Sequence, residues 1–283
     1  METVQKKTLR LLELLEHEEG PMGVYYSDAK PEDGFGPKPG ELFSREREAA
    51  GEIDWGRAFG DTFACVMGKV WLARNKRKAA WISHEACGCM GGGYYTGLYA
   101  PYMETIAHYV STGIPGTPFD GEHYLPSPQT MRAFLEDCAP PPATGKYCVF
   151  KPLEAFAPGE EPLVIVFFAR PEVINGLHSL TCYAAGSHLA VVSPFSAACG
   201  SMVAWPLVYQ QRGEERAVLG GFDLSARKFL KTDEMLFSIP LPFYRKMLDV
   251  MEASALTRHT WQGVLKKVRK SNQTWARDAR QPA

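Results

Sequence analysis

The side chains in this chain that are best suited to chemistry are its seven cysteines, whose local sequences divide them into two groups. Free cysteine is among the most buried residue types, so a cysteine within a regular apolar segment is predicted to be a core residue. The cysteines of this kind are Cys138, Cys148 and Cys182. The others lie in settings that suit chemistry better, and they are Cys65, Cys87, Cys89 and Cys199.

Two of these cysteines are predicted to lie at turns that begin helices. Cys89 precedes the glycine run at 91–93, and Cys199 lies between a predicted strand and Gly200. A thiol at such a turn meets free backbone N–H groups and the positive end of a helix dipole. Both favour the thiolate, which is the form that binds metals or attacks electrophiles. The sequence therefore predicts functional thiols at these turns.

The spacing of the cysteines argues against several common metal sites. Cys87 and Cys89 are too close for a zinc knuckle, whose paired ligands have about two to four residues between them. The long separations of Cys65, Cys89 and Cys199 do not match a ferredoxin-type cluster. They are what we expect when single cysteines from separate loops converge in an α/β fold. We therefore predict that these three converge, with Cys87 as the rival of Cys89.

The glycine run after Cys89 has two interpretations. Gly91, Gly92 and Gly93 match neither the dinucleotide-binding fingerprint nor the P-loop. Their lack of side chains suits a tight turn with close backbone packing. It also suits a cradle of N–H groups around an anion or around the sulfides of a cluster. The second interpretation makes these glycines candidate cofactor-binding residues, and the sequence leaves both open.

The elements that must position these residues alternate between strands and helices. Apolar runs predict strands at 79–83, 147–153 and 163–169. Helical periodicity and a proline suited to a first turn predict helices at 55–74 and 171–185. This order is typical of an α/β protein with a mixed or parallel sheet covered by helices.

Two segments interrupt this alternation. Residues 28–54 are rich in glycine, proline and acidic residues, which predicts an exposed excursion. The proline-rich segment 140–144 is a candidate boundary between two small α/β subdomains. The first, 1–139, would carry Cys65 and the glycine turn of Cys89, and the second, 145–283, would carry Cys199 and the terminal helices. One compact unit is the alternative.

Charge and hydropathy limit the expected partners. The formal net charge is -1, so nothing indicates a nucleic acid or an anionic membrane as a partner. No apolar run reaches the ~18 residues of a membrane span, and the first residues lack the pattern of a signal peptide. We therefore expect a cytoplasmic protein whose cysteines remain thiols or bind metal rather than form disulfides. A homo-oligomer is left open.

Four sequence features, in their order and spacing, resemble domain-of-unknown-function family 169 over roughly residues 20–250. The features are Phe63-Ala64-Cys65, the turn from Cys89 through Gly91-Gly92-Gly93 to Gly97, Lys151-Pro152-Leu153 with the strand ending at Pro171, and Ala198-Cys199 followed by segments 221–227 and 233–240. The resemblance implies a site at Cys65, Cys89 and Cys199. It implies no reaction, because the function of that family is not settled. Departures from the family pattern are Cys87 and the insertion-like segments 28–54 and 113–126.

The dispersed cysteines lead to a first hypothesis, an iron–sulfur protein. Thiolates of Cys65, Cys89 and Cys199, with Cys87 as a rival ligand, would hold a 4Fe–4S cluster and leave one iron open. Quinolinate synthase and the 2-hydroxyacyl-CoA dehydratases are similar in this respect. An open iron is a Lewis acid that can bind a hydroxyl, carboxylate or sulfide of a small-molecule substrate. The chemistry would be that of a lyase, a dehydratase or a sulfur-handling enzyme.

Two further hypotheses need no cluster. In the first, Cys199 or Cys89 is the nucleophile of a metal-free enzyme, with a histidine such as His188 as the base. In the second, the chain is a non-enzymatic accessory protein that binds a small molecule or a metal. Bound iron with an absorbance at about 400 nm would distinguish the iron–sulfur hypothesis from both of these alternatives.

Overall fold

The computed structural model describes residues 2–60, 63–99 and 101–278, and the strands in those residues form one sheet. The strands are β1 (Met22–Ser27), β2 (Gly34–Phe35), β3 (Ala79–Ser83), β4 (Tyr147–Pro152), β5 (Val164–Ala169), β6 (Val191–Val192), β7 (Ala217–Gly220) and β8 (Met235–Pro240). Their order across the sheet is β2-β3-β4-β1-β5-β8-β7-β6. The strands predicted at 79–83, 147–153 and 163–169 are confirmed to within one residue at each end.

Neighbouring strands of this sheet run in both directions. The pairs β2–β3 and β6–β7 are parallel, and the other neighbouring pairs are antiparallel. The central strand β1 pairs with β4 on one side and β5 on the other, so that Met22 lies opposite both Pro152 and Val166. The predicted α/β fold with a mixed sheet is confirmed. Segments on both sides of 140–144 therefore contribute strands to the same sheet.

Helices pack on both faces of the sheet. The α-helices are α1 (Glu2–Leu15), α2 (Arg45–Ala49), α3 (Trp55–Phe59), α4 (Val66–Lys76), α5 (Met90–Tyr95), α6 (Glu104–Val110), α7 (Pro128–Asp137), α8 (Pro171–Ala185), α9 (Trp205–Gln211), α10 (Leu241–Val250) and α11 (His259–Asp278). A π-helical turn, Gly200–Ala204, leads directly into α9. One face is covered by α1, α8, α10 and α11, and the other by α4 to α7 and α9.

Strand β5 shows how one element serves both faces. All of its residues are buried. Val164, Val166 and Phe168 pack into the core that contains α4 and α5, whereas the alternate residues pack against α1 and α8. Successive side chains of a strand point to opposite faces, so a continuous apolar run is what a doubly covered strand requires. Burial of each large apolar side chain contributes about 1.5–3 kcal/mol, and β5 therefore anchors both layers.

The helix predicted at 55–74 is interrupted in the structure. Helix α3 ends at Phe59, and α4 begins only after Cys65, whose backbone is extended at φ −63° and ψ 132°. The N–H of Ala64 donates to the carbonyl oxygen of Gly88 at 3.1 Å. The prediction of one continuous helix was wrong, because apolar periodicity does not reveal a break that a hydrogen bond to a distant turn stabilises.

The segment 28–54 is less exposed than its composition predicted. It contains β2 and α2, and Ser44 caps α2 by accepting a hydrogen bond from the N–H of Arg47 at 3.2 Å. Phe43 is buried, and its ring makes an edge contact with the ring of Tyr99 at a centroid distance of 5.9 Å. The abundance of glycine and proline does predict short elements. It does not reveal that one aromatic side chain holds the segment against the core.

The C-terminal helix α11 packs through a single apolar side. Trp261 and Leu265 are buried one turn apart, and the indole N–H of Trp261 donates to the carbonyl oxygen of Leu14 at 2.7 Å. Lys266 and Lys267, on the other side of the helix, are exposed. Among the helices of the described residues, none combines the length and the apolar character that crossing a membrane requires.

Candidate functional site

One face of the sheet holds a cavity of about 520 Å³ whose lining includes Cys65, Cys89 and Cys199. Each of these cysteines immediately precedes a helical segment. Cys65 precedes α4, Cys89 precedes α5, and Cys199 precedes the π-helical turn. The structure thus brings to one cavity three of the four cysteines that the sequence singled out.

Backbone contacts between the three segments hold this arrangement together. The hydrogen bond from Ala64 to Gly88 ties the segment of Cys65 to the turn before α5. Gly88 has a φ of +69°, a left-handed conformation that glycine adopts without steric cost. The Sγ atom of Cys199 lies 4.0 Å from the carbonyl oxygen of Gly91. The segment around the start of α5, with Gly88 before the helix and Gly91 within it, is therefore the common neighbour of the other two segments.

The π-helical turn that follows Cys199 brings this residue close to α5. A Cβ atom at Gly200 would lie only 2.8 Å from Cβ of Ser196 and 3.1 Å from the ring of Tyr95, so glycine permits the close approach. The hydroxyl groups of Ser196 and Ser201 are hydrogen-bonded at 3.2 Å across the turn. Short π-helical stretches occur frequently at functional sites in proteins, and this one carries a cavity cysteine at its start.

Cys87, the rival of Cys89, occupies a different position. It is buried, it is not among the described residues that line the cavity, and its Sγ donates to the carbonyl oxygen of Cys89 at 3.1 Å. The Sγ of Cys89 instead accepts a hydrogen bond from the N–H of Gly92 at 3.4 Å. The geometry therefore favours Cys89 over Cys87 as the thiol available to a ligand.

The three glycines of α5 differ from one another. Gly91 and Gly92 line the cavity, whereas Gly93 packs elsewhere, where a Cβ atom would lie 2.2 Å from the ring of Tyr99. A Cβ atom at Gly92 would lie 2.6 Å from Cγ2 of Val66, and one at Gly91 would meet nothing within 4 Å. Gly92 and Gly93 thus permit close packing, as the first interpretation expects. The binding of an anion or of cluster sulfides by the N–H groups of this run stays a prediction.

The remaining cysteines lie away from the cavity lining. Cys138 and Cys148 are buried, with 2% and 0% of their surface exposed. Cys182 is only partly buried, and its Sγ lies 3.6 Å from Nδ1 of His178 one helical turn earlier. The core assignment therefore fits Cys138 and Cys148. The core assignment does not fit Cys182, because this residue of α8 is partly exposed to solvent.

Burial controls the protonation of the cavity thiols. It raises the pKa of Cys65, although the N–H groups of Met67 and Gly68 act in the opposite direction. Burial and the neighbouring Cys65 raise the pKa of Cys89 to about 12. Burial, followed by the thiols of Cys89 and Cys65, raises the pKa of Cys199 well above its ordinary value. In the absence of a bound cation, the three side chains are neutral thiols at neutral pH, close enough to oppose each other's ionisation.

The donor set can be compared with the needs of a metal group. Within the described residues, no three or more His, Cys, Asp or Glu side chains are arranged to hold one metal ion. A single zinc ion needs sulfurs that converge to about 2.3 Å from one point. In an iron–sulfur cluster each thiolate binds a different iron, so the sulfurs stand further apart around a larger group. The three cysteines around the cavity supply thiolates, the type of ligand that holds iron–sulfur clusters.

Two carboxyl groups share the cavity with the thiols. Burial, together with the negative charge of Asp223, raises the pKa of Glu122 to about 7. Asp223 accepts hydrogen bonds from the N–H of Ala198 at 3.3 Å and from the N–H and Oγ of Ser225 at 3.0 and 2.8 Å. These bonds fix the Asp223 carboxylate beside the residue that precedes Cys199, so it forms part of the wall next to the cysteines.

Sequence reasoning did not identify these carboxyl groups or the aromatic character of the wall. Glu122 lies in the insertion-like segment 113–126 and had no sequence signal. Asp223 lies in segment 221–227, which belongs to the same family feature as Ala198-Cys199, and that shared feature could have identified it as a site residue. The aromatic lining comes from distant segments and had no sequence signal. The aromatic residues that line the cavity are Phe43, Phe59, Phe63, Tyr95, Tyr109, Tyr124, Phe195 and Phe222.

Fold and cavity together define an α/β protein with a mixed sheet and a mainly apolar cavity that displays three cysteines from separate segments. The chain belongs to domain-of-unknown-function family 169, described as an uncharacterised ArCR family, whose profile matches residues 10–250. No curated protein and no solved structure matches the chain. The match includes all of the cavity-lining cysteines and ends before α11, and it confirms the resemblance seen in the sequence.

Proposed function

We propose that this protein binds a 4Fe–4S cluster through Cys65, Cys89 and Cys199 and uses it on a small-molecule substrate. The observation that carries the proposal is that these three cysteines, from three separate segments, line one cavity. A cluster with three cysteine ligands keeps one iron without a protein ligand, and that iron supplies Lewis-acid chemistry. A lyase, dehydratase or sulfur-handling reaction would suit such a centre.

The surroundings of the thiols support this proposal. The N–H of Gly92 donates to the Sγ of Cys89, and such hydrogen bonds stabilise a negatively charged sulfur ligand. Apolar side chains such as Val66, Met67 and Ile106 line the same cavity and lower its polarity. The protein thus offers sulfur donors, a backbone donor to one of them and low local polarity at one place.

Two carboxyl groups of the cavity, those of Glu122 and Asp223, could act on a bound substrate. Glu122, with a pKa raised to about 7 by burial and by Asp223, can hold or release a proton near neutral pH. Asp223 is held by Ala198 and Ser225 and remains a fixed hydrogen-bond acceptor. Glu122 would therefore move a proton to or from a bound substrate, while Asp223 would orient it.

The test is purification of the full chain under anaerobic conditions, followed by reconstitution with ferrous iron and sulfide. We expect about four irons and four sulfides per chain and a broad absorbance near about 400 nm. Parallel samples of Cys199→Ser and of Cys182→Ser separate specific binding from adventitious iron, because only the first variant lacks a cavity thiol. A folded wild-type chain with reduced thiols that retains no iron would overturn the proposal.

A second candidate function is the binding of a small molecule without any metal. It is favoured by the raised pKa values of Cys89 and Cys199, which keep these thiols neutral and the cavity mainly apolar. The same observation disfavours a cysteine nucleophile, which needs a thiolate. No histidine is among the described residues that line the cavity, and His188 is exposed. A metal-free protein that still binds a small molecule in this cavity would support the second candidate.

A further inference from the structure

We infer that the cavity binds an organic cation, a molecule with an aromatic or aliphatic body and a protonated amine or quaternary ammonium group. The inference rests on the proposed function in that it names the ligand class of the same cavity. Glu122 and Asp223 are the anionic partners of the cationic group, and aromatic rings form the wall around it.

The first support is the aromatic wall. The rings of Phe59 and Tyr109 are stacked with centroids 4.9 Å apart, and those of Tyr124 and Phe195 meet edge to face at 6.4 Å. All four side chains line the cavity. Aromatic faces attract an ammonium group by about 0.5–2 kcal/mol each, and clusters of such faces are the usual recognition sites for quaternary ammonium ligands.

The second support is the state of the carboxyl groups. The backbone N–H of Glu122 donates to the carbonyl oxygen of Tyr109 at 2.8 Å, but its carboxyl group makes no hydrogen bond or ion pair within the described residues. The Asp223 carboxylate, in contrast, is held in place by Ala198 and Ser225. The two carboxyl groups are close enough for Asp223 to oppose the ionisation of Glu122. A cation between them would remove this repulsion and compensate the half-buried Glu122 for the water it has lost.

The third support is the scarcity of positive charge. Among the described lining residues, Lys228 is the single Lys, Arg or His side chain. It is exposed, and its Nζ lies 5.2 Å from the ring centroid of Phe229, a residue outside the lining. An anionic ligand would therefore meet two carboxyl groups with little compensation. A cationic ligand meets a complementary potential, and a thiolate-bound cluster would add to that negative potential.

The experiment measures the binding of three compounds of matched shape to the full chain at pH 8 by calorimetry. The probes are 2-phenylethylamine, which is a cation at this pH, 2-phenylethanol, which is neutral, and phenylacetate, which is an anion. We expect the amine to bind at least about tenfold more tightly than the other two, equivalent to about 1.4 kcal/mol. Equal affinities, or tighter binding of phenylacetate, would overturn the inference.

Two variants locate the effect. Glu122→Gln keeps the size of the side chain but removes its charge, and we expect it to abolish most of the preference for the amine. Glu161→Gln is the control, because Glu161 is an exposed carboxylate paired with Arg245 outside the cavity lining. An amine preference that survives Glu122→Gln unchanged would contradict the assignment of Glu122.

Iron content measured on the same samples separates this inference from the proposed function. Iron binding without any preference for the amine would overturn the inference alone. A preference for the amine in a chain that takes up no iron would overturn the proposed cluster alone and leave a cation-binding cavity. Binding to Cys199→Ser, tested in parallel, shows whether the ligand needs the third thiol.

Discussion

The Sγ atom of Cys199 lies 4.0 Å from the carbonyl oxygen of Gly91, although the two residues are 108 positions apart in the chain. The contact joins the π-helical turn after β6 to the turn that begins α5. Because Cys89 lies two residues before Gly91, it also places two of the cavity cysteines on neighbouring backbone segments. The separation explains why no compact ligand motif is visible in the sequence.

Replacement of single cysteines should separate those that line the cavity, which we expect to be needed for iron binding, from those that do not. We expect Cys65→Ser, Cys89→Ser and Cys199→Ser each to lose most of the iron bound after anaerobic reconstitution, because each removes one of the three thiol ligands that we propose. Cys148→Ala should retain iron and lose about 1–2 kcal/mol of stability from a small core cavity. Iron and sulfide analysis, with urea unfolding of the same samples, provides the comparison. Loss of iron from a folded Cys148→Ala protein would refute this division.

Two glycines of α5 provide a matched pair of alanine substitutions. Gly92→Ala would place Cβ 2.6 Å from Cγ2 of Val66, whereas Gly91→Ala would meet nothing within 4 Å. We expect Gly92→Ala to destabilise the protein by about 1–3 kcal/mol through overpacking. Gly91→Ala should be neutral or stabilising by up to about 1 kcal/mol, because alanine favours helix. Urea unfolding of both variants tests this order, and equal stabilities would show that Val66 moves aside at little cost.

The cavity thiols of the metal-free protein should react slowly with iodoacetamide at neutral pH. Burial raises the pKa of Cys89 to about 12 and that of Cys199 well above its ordinary value, so little thiolate is present. Cys182 lies outside the cavity lining with its Sγ 3.6 Å from Nδ1 of His178, a neighbour that favours thiolate, and it should be alkylated first, at least about tenfold faster. Peptide mass spectrometry after timed quenching gives the rate at each cysteine, and urea-unfolded protein is the control in which the difference should vanish. Rapid alkylation of Cys199 in the folded chain would instead indicate an activated nucleophile.

The stability of the protein should depend on pH through Glu122. Burial and Asp223 raise the pKa of this carboxyl to about 7 in the folded chain, above its value of about 4.3 when unfolded. The folded state therefore binds the proton more tightly, and stability falls as pH rises from about 4.3 to about 7. Glu122→Gln should remove this loss and be about 1 kcal/mol more stable than the wild type at pH 8, a modest gain because the carboxyl is partly exposed to water. A parallel decline of both proteins between pH 5 and pH 8 would assign the pH dependence to other groups.

Several features of this protein follow from short stretches of its sequence. The apolar run of β5 specified a doubly covered strand, and Pro171 at the first turn marked the beginning of α8. The glycines after Cys89 marked the turn that begins α5. Such features depend on the conformational preferences and side-chain periodicity of adjacent residues, which the sequence displays directly.

The cavity depended on tertiary structure. The bond from Ala64 to Gly88 interrupts the predicted helix and places Cys65 before α4, and the proximity of Glu122 and Asp223 arises from the packing of two distant loops. The sequence nominated Cys65, Cys89 and Cys199 as residues that could meet, but not the aromatic and acidic wall around them. Contacts between distant segments depend on how the helices pack on the mixed sheet. The residue pattern within one segment does not identify the distant segment that will contact it.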